Sequence, residues 1–161
     1  MTRAYKAIIK SLFTISIISA LTVTFMNFTY AEAHDLPVTS PFGWRYHPID
    51  GQYKFHTGVD LGYGYGDGVP ALFYGQVVAA GDYGDGYGYQ VMLYHPETDT
   101  YTKYCHLSSV YVAVGDCVVQ GHIIGSVGSS GYSTGPHLHL EYIVRGAGGQ
   151  YEFADPLQLW M

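Results

Sequence analysis

Charged residues are scarce in this chain: Asp, Glu, Lys and Arg make up 12% of the 161 residues, whereas glycine occurs 21 times and tyrosine 17 times. No stretch after residue 33 keeps the hydrophobic period of 3.6 residues that an amphipathic helix requires. These two deficits argue against a helical bundle and favour a loop-rich β protein. Hydrophobic residues reach 48%, enough to bury a core, so intrinsic disorder is not expected.

Basic residues become scarcer still once the first 33 residues are set aside. Four basic residues remain against twelve acidic residues, so residues 34–161 have a formal charge of −8 when the histidines are neutral. The four basic residues are Arg45, Lys54, Lys103 and Arg145. A nucleic-acid partner is therefore not expected, because binding to phosphates requires a basic face.

Only two cysteines are present, Cys105 and Cys117. Neither belongs to a Cys-x-x-Cys pair, so a cysteine-based zinc site is not expected. In an oxidising compartment the two could form an intramolecular disulfide across a hairpin, or they could remain as buried thiols. The spacing leaves both alternatives open, because bridging depends on geometry.

The first 33 residues differ from the rest of the chain. Three basic residues precede a largely apolar run over residues 12–28, and Ala31-Glu32-Ala33 offers a small-residue cleavage site. This pattern predicts a signal peptide with a helical apolar part over residues 1–33, and one exported domain over residues 34–161, in the periplasm or at the cell wall. An uncleaved membrane anchor is the alternative, because the run approaches the roughly 17–20 residues that span a bilayer.

Short β-branched or aromatic runs alternate with turn residues throughout the exported part, which predicts an all-β fold, a compact antiparallel sheet or sandwich. Gly-rich clusters at 62–68, 81–88 and 128–135 predict long loops around a groove. The predicted strands are 75–80, 89–94, 99–104, 111–114, 117–119, 122–127 and 137–144.

Two histidine-containing motifs indicate a metal site. His56 and Asp60 are four residues apart in a segment of poor helix formers, so we place them at a strand end or bend. His137 and His139 are two apart in a strand-like run and should project from one face of a sheet. Imidazole and carboxylate are good zinc ligands, and three of them leave one position for water. One of the late pair can bind metal while the other reaches the substrate.

Zinc-dependent hydrolysis also needs groups that move a proton and stabilise negative charge, and His106 and His137 are the best candidates. Glu141 shares the strand parity of His137 and His139, so it either orients an imidazole or is an ordinary surface glutamate. His95 and His122 fall in turn-like contexts where we expect exposed, non-catalytic side chains.

Several segments together resemble the lysostaphin-type, LytM-like family of zinc metallopeptidases, over nearly all of residues 38–157. The matching segments are Thr39-Ser-Pro-Phe-Gly-Trp-Arg-Tyr-His-Pro48, His56-Thr-Gly-Val-Asp60, Tyr104-Cys-His-Leu-Ser108 and Gly128-Ser-Ser-Gly-Tyr-Ser-Thr-Gly-Pro-His-Leu-His-Leu-Glu141. The resemblance implies one zinc ion per chain on His56, Asp60 and His139, with His106 and His137 in catalysis.

The same resemblance implies that the protein is a hydrolase of peptidoglycan peptides, acting on cross-links or stem peptides. We expect a monomer that has no membrane contact once the leader is removed. A carboxypeptidase acting on stem-peptide ends and a non-catalytic activator of another cell-wall hydrolase are the alternatives. Arg45 and His47 are expected to brace the groove near the metal, whereas a catalytic role cannot be transferred to Tyr46 or Tyr53.

Overall fold

The computed structural model describes residues 36–47 and 51–161. The predicted signal peptide and its helix lie outside the described residues. Within the described ranges, no helix is long and apolar enough to cross a membrane.

Twelve strands and one short 3-10 helix make up the described chain, which confirms the predicted all-β class. The helix spans Pro156–Trp160, and the Asp155 carboxylate caps it by accepting a hydrogen bond from the backbone N–H of Leu157 at 3.0 Å. The strands are β1 (Val38–Ser40), β2 (Gly43–Tyr46), β3 (Tyr53–His56), β4 (Val59–Leu61), β5 (Gly68–Pro70), β6 (Gly75–Asp82), β7 (Tyr89–His95), β8 (Thr100–Val110), β9 (Cys117–Val118), β10 (Ile123–Val127), β11 (Leu138–Arg145) and β12 (Tyr151–Ala154).

Ten strands form one antiparallel sheet whose main path is β1-β4-β11-β8-β7-β6-β9, with β12 beside β11 and with β10 pairing both β5 and β8. The remaining two, β2 and β3, form a separate hairpin. Because β11 lies between β4 and β8, its His139 is directly opposite Asp60 on one side and Cys105 on the other. This register brings the two histidine-containing motifs of the sequence together.

Side-chain alternation directs the apolar residues of these strands into one core. Val59 and Leu61 are buried on the core face of β4, while Asp60 between them points to the other side. Leu138 and Leu140 of β11 join the same core, and His139 between them turns towards Asp60. The predicted parity of the late histidine motif is therefore confirmed.

The predicted strand at 111–114 is wrong. β8 continues to Val110, six residues beyond its predicted end, and the chain then turns. The backbone N–H of Ala113 donates to the Asp116 carboxylate at 2.8 Å, and the N–H of Asp116 donates back to the Ala113 carbonyl. Gly115 between them has φ +98°, a left-handed conformation that a β-branched strand residue would resist.

Of the two alternatives for Cys105 and Cys117, the disulfide does not form: both thiols are free, and only Cys105 is a buried thiol. Cys105 is buried in β8, whereas Cys117 is exposed in β9, and β7 and β6 lie between these two strands. Three inter-strand steps of about 4.8 Å separate the two backbones by roughly 14 Å, twice the Cα distance that a disulfide tolerates. The hairpin that the spacing suggested does not form.

Two of the Gly-rich loops pack against each other beside the sheet edge. Gly131 has φ +69°, and a Cβ atom there would lie 2.4 Å from the Gly86 carbonyl oxygen and 2.4 Å from the Gly88 nitrogen. The backbone N–H of Tyr132 donates to the Gly86 carbonyl at 2.7 Å. Glycine at 131 therefore lets the two loops approach closely enough to wall one end of a groove.

Candidate metal centre

Three side chains from three strands point their ligand atoms at one another: His56 at the end of β3, Asp60 in β4 and His139 in β11. Nε2 of His56 lies 3.0 Å from Nδ1 of His139. Oδ1 of Asp60 lies 3.1 Å from the first nitrogen and 2.9 Å from the second. The structure thus brings together all three residues that the sequence predicts as zinc ligands.

Hydrogen bonds on the far side of each imidazole set which nitrogen faces the centre. Nδ1 of His56 lies 2.8 Å from the carbonyl oxygen of Pro41, so it carries the proton and leaves Nε2 as an acceptor. Nε2 of His139 lies 3.4 Å from Glu141, which places its proton there and leaves Nδ1 as the acceptor. Two imidazole lone pairs and one carboxylate oxygen therefore converge.

This donor set fits zinc. In a tetrahedral site with metal–ligand bonds of 2.0–2.1 Å, ligand atoms are about 3.3 Å apart, close to the triangle that His56, Asp60 and His139 form. Burial would raise the pKa of Asp60, but hydrogen bonds and charge from His139 and His56 hold it well below its usual range. Asp60 is therefore an anion at neutral pH, as a metal-binding carboxylate must be.

Glu141 is a supporting residue beneath His139, and the alternative of a surface glutamate is wrong because its side chain is only 1% exposed. Its Oε1 accepts hydrogen bonds from the hydroxyls of Thr57 and Tyr87 and faces Nε2 of His139. Its Oε2 lies 3.8 Å from the Lys103 ammonium, which also sits 3.3 Å from the centre of the Tyr87 ring. The carboxylate is thereby fixed against the imidazole.

His106 occupies an irregular point of β8. Its φ of +61° is unusual for a non-glycine residue, and the β7–β8 register shifts at the same place. Nδ1 lies 2.8 Å from the Ser130 carbonyl oxygen, which leaves Nε2 as a proton acceptor. Burial lowers the pKa of His106 to about 4, so the imidazole is neutral at physiological pH.

His137 lies immediately before β11 and is tied to Gly128 by an isolated bridge. Its Nδ1 is 2.8 Å from the Gly135 carbonyl oxygen, and its Nε2 is 3.7 Å from Oδ1 of Asp60. The ring centres of His106 and His137 are 4.8 Å apart. Both predicted catalytic imidazoles therefore stand beside the three predicted ligand residues, each with Nδ1 bound to a backbone carbonyl.

These residues lie in a groove of about 290 Å³. The β2–β3 hairpin contributes Arg45 and Lys54 to one wall, and the Gly-rich loops contribute Asp85, Tyr87 and Tyr132. Nη2 of Arg45 lies 3.5 Å from Oδ2 of Asp60, which agrees with the prediction that Arg45 braces the groove near the metal. His47 also lines the groove and stacks on Tyr132 with ring centres 5.4 Å apart.

Some residues of the site could not be singled out from the sequence. Tyr87 and Thr57 hold Glu141, yet one lies in a Gly-rich loop and the other between two ligands, where nothing in the sequence distinguishes their contacts. Lys103 could not be singled out either, because its place directly opposite Glu141 depends on the β8–β11 register. Tyr46 and Tyr53 lie on the exposed side of the hairpin, away from the groove-facing Arg45 and Lys54.

Two further histidines among the described residues, His95 and His122, lie away from this site. His122 is exposed, as predicted. His95 is buried rather than exposed: its Nδ1 lies 2.8 Å from the Tyr74 carbonyl oxygen and its Nε2 lies 2.8 Å from the Thr102 hydroxyl. One nitrogen of His95 therefore ties β7 to the residue before β6 and the other ties it to β8, and burial lowers the pKa of His95.

An antiparallel β-sheet carrying a His/Asp/His cluster with two further imidazoles in a groove has the chemical groups that metal-dependent hydrolases use. The chain belongs to peptidase family M23, whose model matches residues 54–151. The resemblance to lysostaphin-type peptidases is thereby confirmed.

Known relatives agree with this assignment. The chain is 44% identical over 109 residues to the DD-carboxypeptidase/endopeptidase Mpg of Neisseria meningitidis, a match that covers 68% of this chain and 25% of that protein. Among solved structures, the catalytic domain of lysostaphin from Staphylococcus simulans superposes with a TM-score of 0.69 at 34% identity, covering 80% of this chain and 94% of that one.

A zinc-containing peptidase from Vibrio cholerae superposes with a TM-score of 0.60 at 30% identity, covering 72% of this chain and 35% of that one. The chain spans about a quarter of the length of the curated relatives it matches, such as Mpg and the Vibrio cholerae peptidoglycan DD-endopeptidase ShyC.

Proposed function

We propose that this protein is an exported zinc-dependent peptidoglycan hydrolase that cleaves peptide bonds of cross-links or stem peptides. The observation that carries the proposal is the convergence of His56, Asp60 and His139 beside His106 and His137 in an open groove. The names of the relatives support the substrate class, since Mpg and ShyC are both peptidases of DD bonds.

His56 Nε2, Asp60 Oδ1 and His139 Nδ1 would hold the zinc ion. When bound, zinc lowers the pKa of a water ligand towards about 7 and polarises a carbonyl group. All three of these residues line the groove, so they would hold the ion where a peptide can lie.

His106 and His137 supply the remaining chemistry. Each has its Nδ1 proton engaged by a backbone carbonyl, which leaves Nε2 for the reacting groups. One of the two accepts the proton of the attacking water at Nε2 and passes it to the leaving amine, while the other, when it carries a second proton on Nε2, donates a hydrogen bond to the developing oxyanion. The low pKa of His106 keeps its imidazole neutral, and therefore able to accept a proton, throughout the neutral range.

Digestion of intact peptidoglycan tests the proposal. Purified protein should release peptide fragments detectable by mass spectrometry, a chelator should stop the release, and added zinc should restore it. Absence of metal-dependent cleavage, together with stimulation of a separate cell-wall amidase, would instead identify a non-catalytic activator.

A carboxypeptidase that trims stem peptides is the second candidate function, because the relative Mpg is named as both a DD-carboxypeptidase and an endopeptidase. Fragment masses separate the two: loss of one terminal residue indicates trimming of stem peptides, whereas conversion of cross-linked dimers to monomers indicates endopeptidase activity. Either product preserves the proposed site and mechanism, because the same residues would hydrolyse both bonds.

A further inference from the structure

The sheet face that carries the metal centre continues beyond the groove. Side chains alternate along a strand, so Ile143, four residues after His139 in β11, lies on the same face as that predicted ligand. In the strand register Ile143 is flanked by Tyr101 of β8 and Phe153 of β12. Tyr94 of β7 lies beside Tyr101. These four side chains and Tyr151, which is opposite Arg145 in the β11–β12 register, form a surface that we name the distal patch.

A hydrogen-bonded ion pair fixes the tyrosine rings of the distal patch. Nε of Arg145 donates to Oδ2 of Asp99 at 2.6 Å, and the Tyr151 hydroxyl donates to Oδ1 at 2.6 Å. The Tyr94 hydroxyl donates to the same Oδ1 at 3.2 Å. The ring centre of Tyr101 lies 5.0 Å from the ring centres of both Tyr94 and Tyr151. The three rings are therefore held in place before any ligand binds.

The edge of the distal patch is open to solvent. Tyr151 is 40% exposed and Phe153 is 43% exposed, and both belong to β12, which pairs with β11 alone among the described strands. Edge strands usually avoid exposed apolar side chains, because such side chains invite contacts with other molecules. Exposed rings add little to the stability of the fold, so this surface indicates a binding site.

The size of the distal patch fits a small extended ligand. It crosses four strands, which are about 4.8 Å apart, so it is about 14 Å long and one or two side chains wide. That surface is several times smaller than the roughly 800 Å² that each partner buries in a stable protein–protein interface. The formal charge of −8 on residues 34–161 also disfavours binding to an anionic membrane.

A neutral glycan has the chemistry that this surface recognises. The C–H faces of a pyranose ring are apolar and pack on aromatic rings, while its hydroxyls donate and accept hydrogen bonds. Arg145 donates to Asp99, to the Gly149 carbonyl and to the Tyr151 hydroxyl, which within the described part of the chain leaves two of its five N–H groups for a ligand. Because Arg145 and Asp99 neutralise each other, the patch offers hydrogen bonds without a net charge.

The position of the distal patch relative to the metal centre matches the layout of the proposed substrate. Ile143 is four residues from His139 along β11, about 13 Å at 3.3 Å per residue. Between them lie Lys103 and Glu141, which contact Tyr87 of the groove wall. In peptidoglycan a short stem peptide joins the glycan strand to the cross-link, and four extended residues span about 13–14 Å. A glycan strand can thus lie on the patch while its peptide reaches the metal centre.

We propose that the distal patch and its Arg145–Asp99 pair form a glycan-binding subsite, which holds the sugar strand of peptidoglycan while the attached peptide lies in the groove. The inference rests on the proposed hydrolase function for the identity of the glycan, although sugar binding itself needs no turnover. The subsite binds substrate and takes no part in the chemistry, so it favours assembled peptidoglycan over free peptides.

Binding of peptide-free sugar tests the subsite. The zinc-loaded protein is titrated in a calorimeter with glycan strands stripped of their stem peptides, and separately with the β-1,4-linked tetramer of N-acetylglucosamine. We expect saturable binding of both. Phe153→Ala, which leaves the Arg145–Asp99 pair in place, should weaken the binding at least about fivefold, the effect of losing one aromatic contact.

Matched variants show whether the patch itself binds the sugar. Phe153→Trp keeps an aromatic face and should retain the binding. Trp44→Ala removes a more exposed ring, 63% exposed, from the hairpin and should bind sugar like the unmodified protein. Cleavage provides a second readout: in Phe153→Ala the rate on intact peptidoglycan should fall at least about fivefold more than the rate on a short peptide without sugar.

Three results would overturn the subsite. The first is no saturable binding of peptide-free strands by the unmodified protein, even where peptides are cleaved. The second is a loss of sugar binding in Trp44→Ala but not in Phe153→Ala, which places the sugar on the hairpin. The third is a dimer in sedimentation velocity that Phe153→Ala dissolves, without sugar binding, which makes a second copy the occupant. Sugar binding that depends on Phe153 without cleavage of any peptide overturns the hydrolase function alone and supports the subsite.

Discussion

The two walls of the groove are built in different ways. The metal wall consists of β4, β8 and β11, whose chemical groups are held by a continuous sheet and a buried core, and the hairpin adds one predicted ligand to it, His56 at the end of β3. The hairpin wall is a separate two-stranded sheet with an exposed outer face, where Trp44 is 63% exposed and stacks on Tyr53 with ring centres 5.4 Å apart.

Most of the residues proposed for catalysis lie in the metal wall, whereas the hairpin contributes residues that can contact the substrate. Changes in the metal wall disturb the core and the metal together, because Asp60 and His139 alternate with core leucines and valines. Changes in the hairpin leave the large sheet intact, so substrate preference can vary without loss of the fold.

Removing a ligand should have the largest effect. His139→Ala should lower kcat/KM on peptidoglycan peptides by at least about 1,000-fold, because the metal position that activates water is lost. Trp44→Ala is the matched control on the outer face of the hairpin and should remain within about threefold of the unmodified protein. Comparable losses in both variants would contradict the division between the walls.

Gly58 lies between two ligands and packs directly against β11. A Cβ atom there would lie 2.3 Å from the Leu140 carbonyl oxygen and 2.9 Å from Cε1 of His139. Gly58→Ala should therefore lower the free energy of unfolding by about 3 kcal/mol through overpacking, measured by urea denaturation. Gly148→Ala, where a Cβ would have open space, should change it by less than about 1 kcal/mol; an equal effect would argue against close packing at Gly58.

Replacing Glu141 tests whether the metal wall depends on its supporting carboxylate. A glutamine cannot satisfy both sides, because its amide N–H₂ would face either the Lys103 ammonium or the hydroxyls of Thr57 and Tyr87. Glu141→Gln should weaken zinc binding by about 10- to 100-fold in a chelator competition assay. Glu152→Gln, an exposed site, provides the control. Unchanged affinity would restrict Glu141 to a packing role.

The buried His106 should make the metal-free protein sensitive to acid. Its pKa is about 4 when folded and about 6.5 when unfolded, so between these values the unfolded chain binds the extra proton and stability falls as pH falls. Lowering the pH from 7 to 4.5 should cost roughly 2 kcal/mol through this residue. His106→Asn tolerates the left-handed backbone and should lose correspondingly less stability; identical pH profiles would contradict the effect.

Much of the metal wall could be predicted from the sequence, because strand parity and ligand chemistry are local properties. His137 and His139 project to one side, and the spacing of His56 and Asp60 allows both to face one point. The partner strand of each motif is not local, so only the β4–β11–β8 register reveals why the motifs meet.

The features that the sequence left open or predicted wrongly share a physical cause, because each depends on tertiary packing. Cys105 and Cys117 are close in sequence, but their strands are separated by β7 and β6, and no local pattern encodes strand order. The sequence around His95 predicts an exposed turn residue. In the structure His95 is buried and contacts Tyr74 and Thr102, which are brought to it by tertiary packing. The role of Glu141 also depended on burial, which the alternation pattern alone left undecided.

The proposed function requires that His56, Asp60 and His139 bind one zinc ion. Anomalous diffraction at the zinc edge, from crystals of protein reconstituted with one equivalent of zinc, measures this binding. We expect one strong peak about 2.0–2.2 Å from Nε2 of His56, Oδ1 of Asp60 and Nδ1 of His139. A peak held by other residues, or no peak at this cluster, would contradict it.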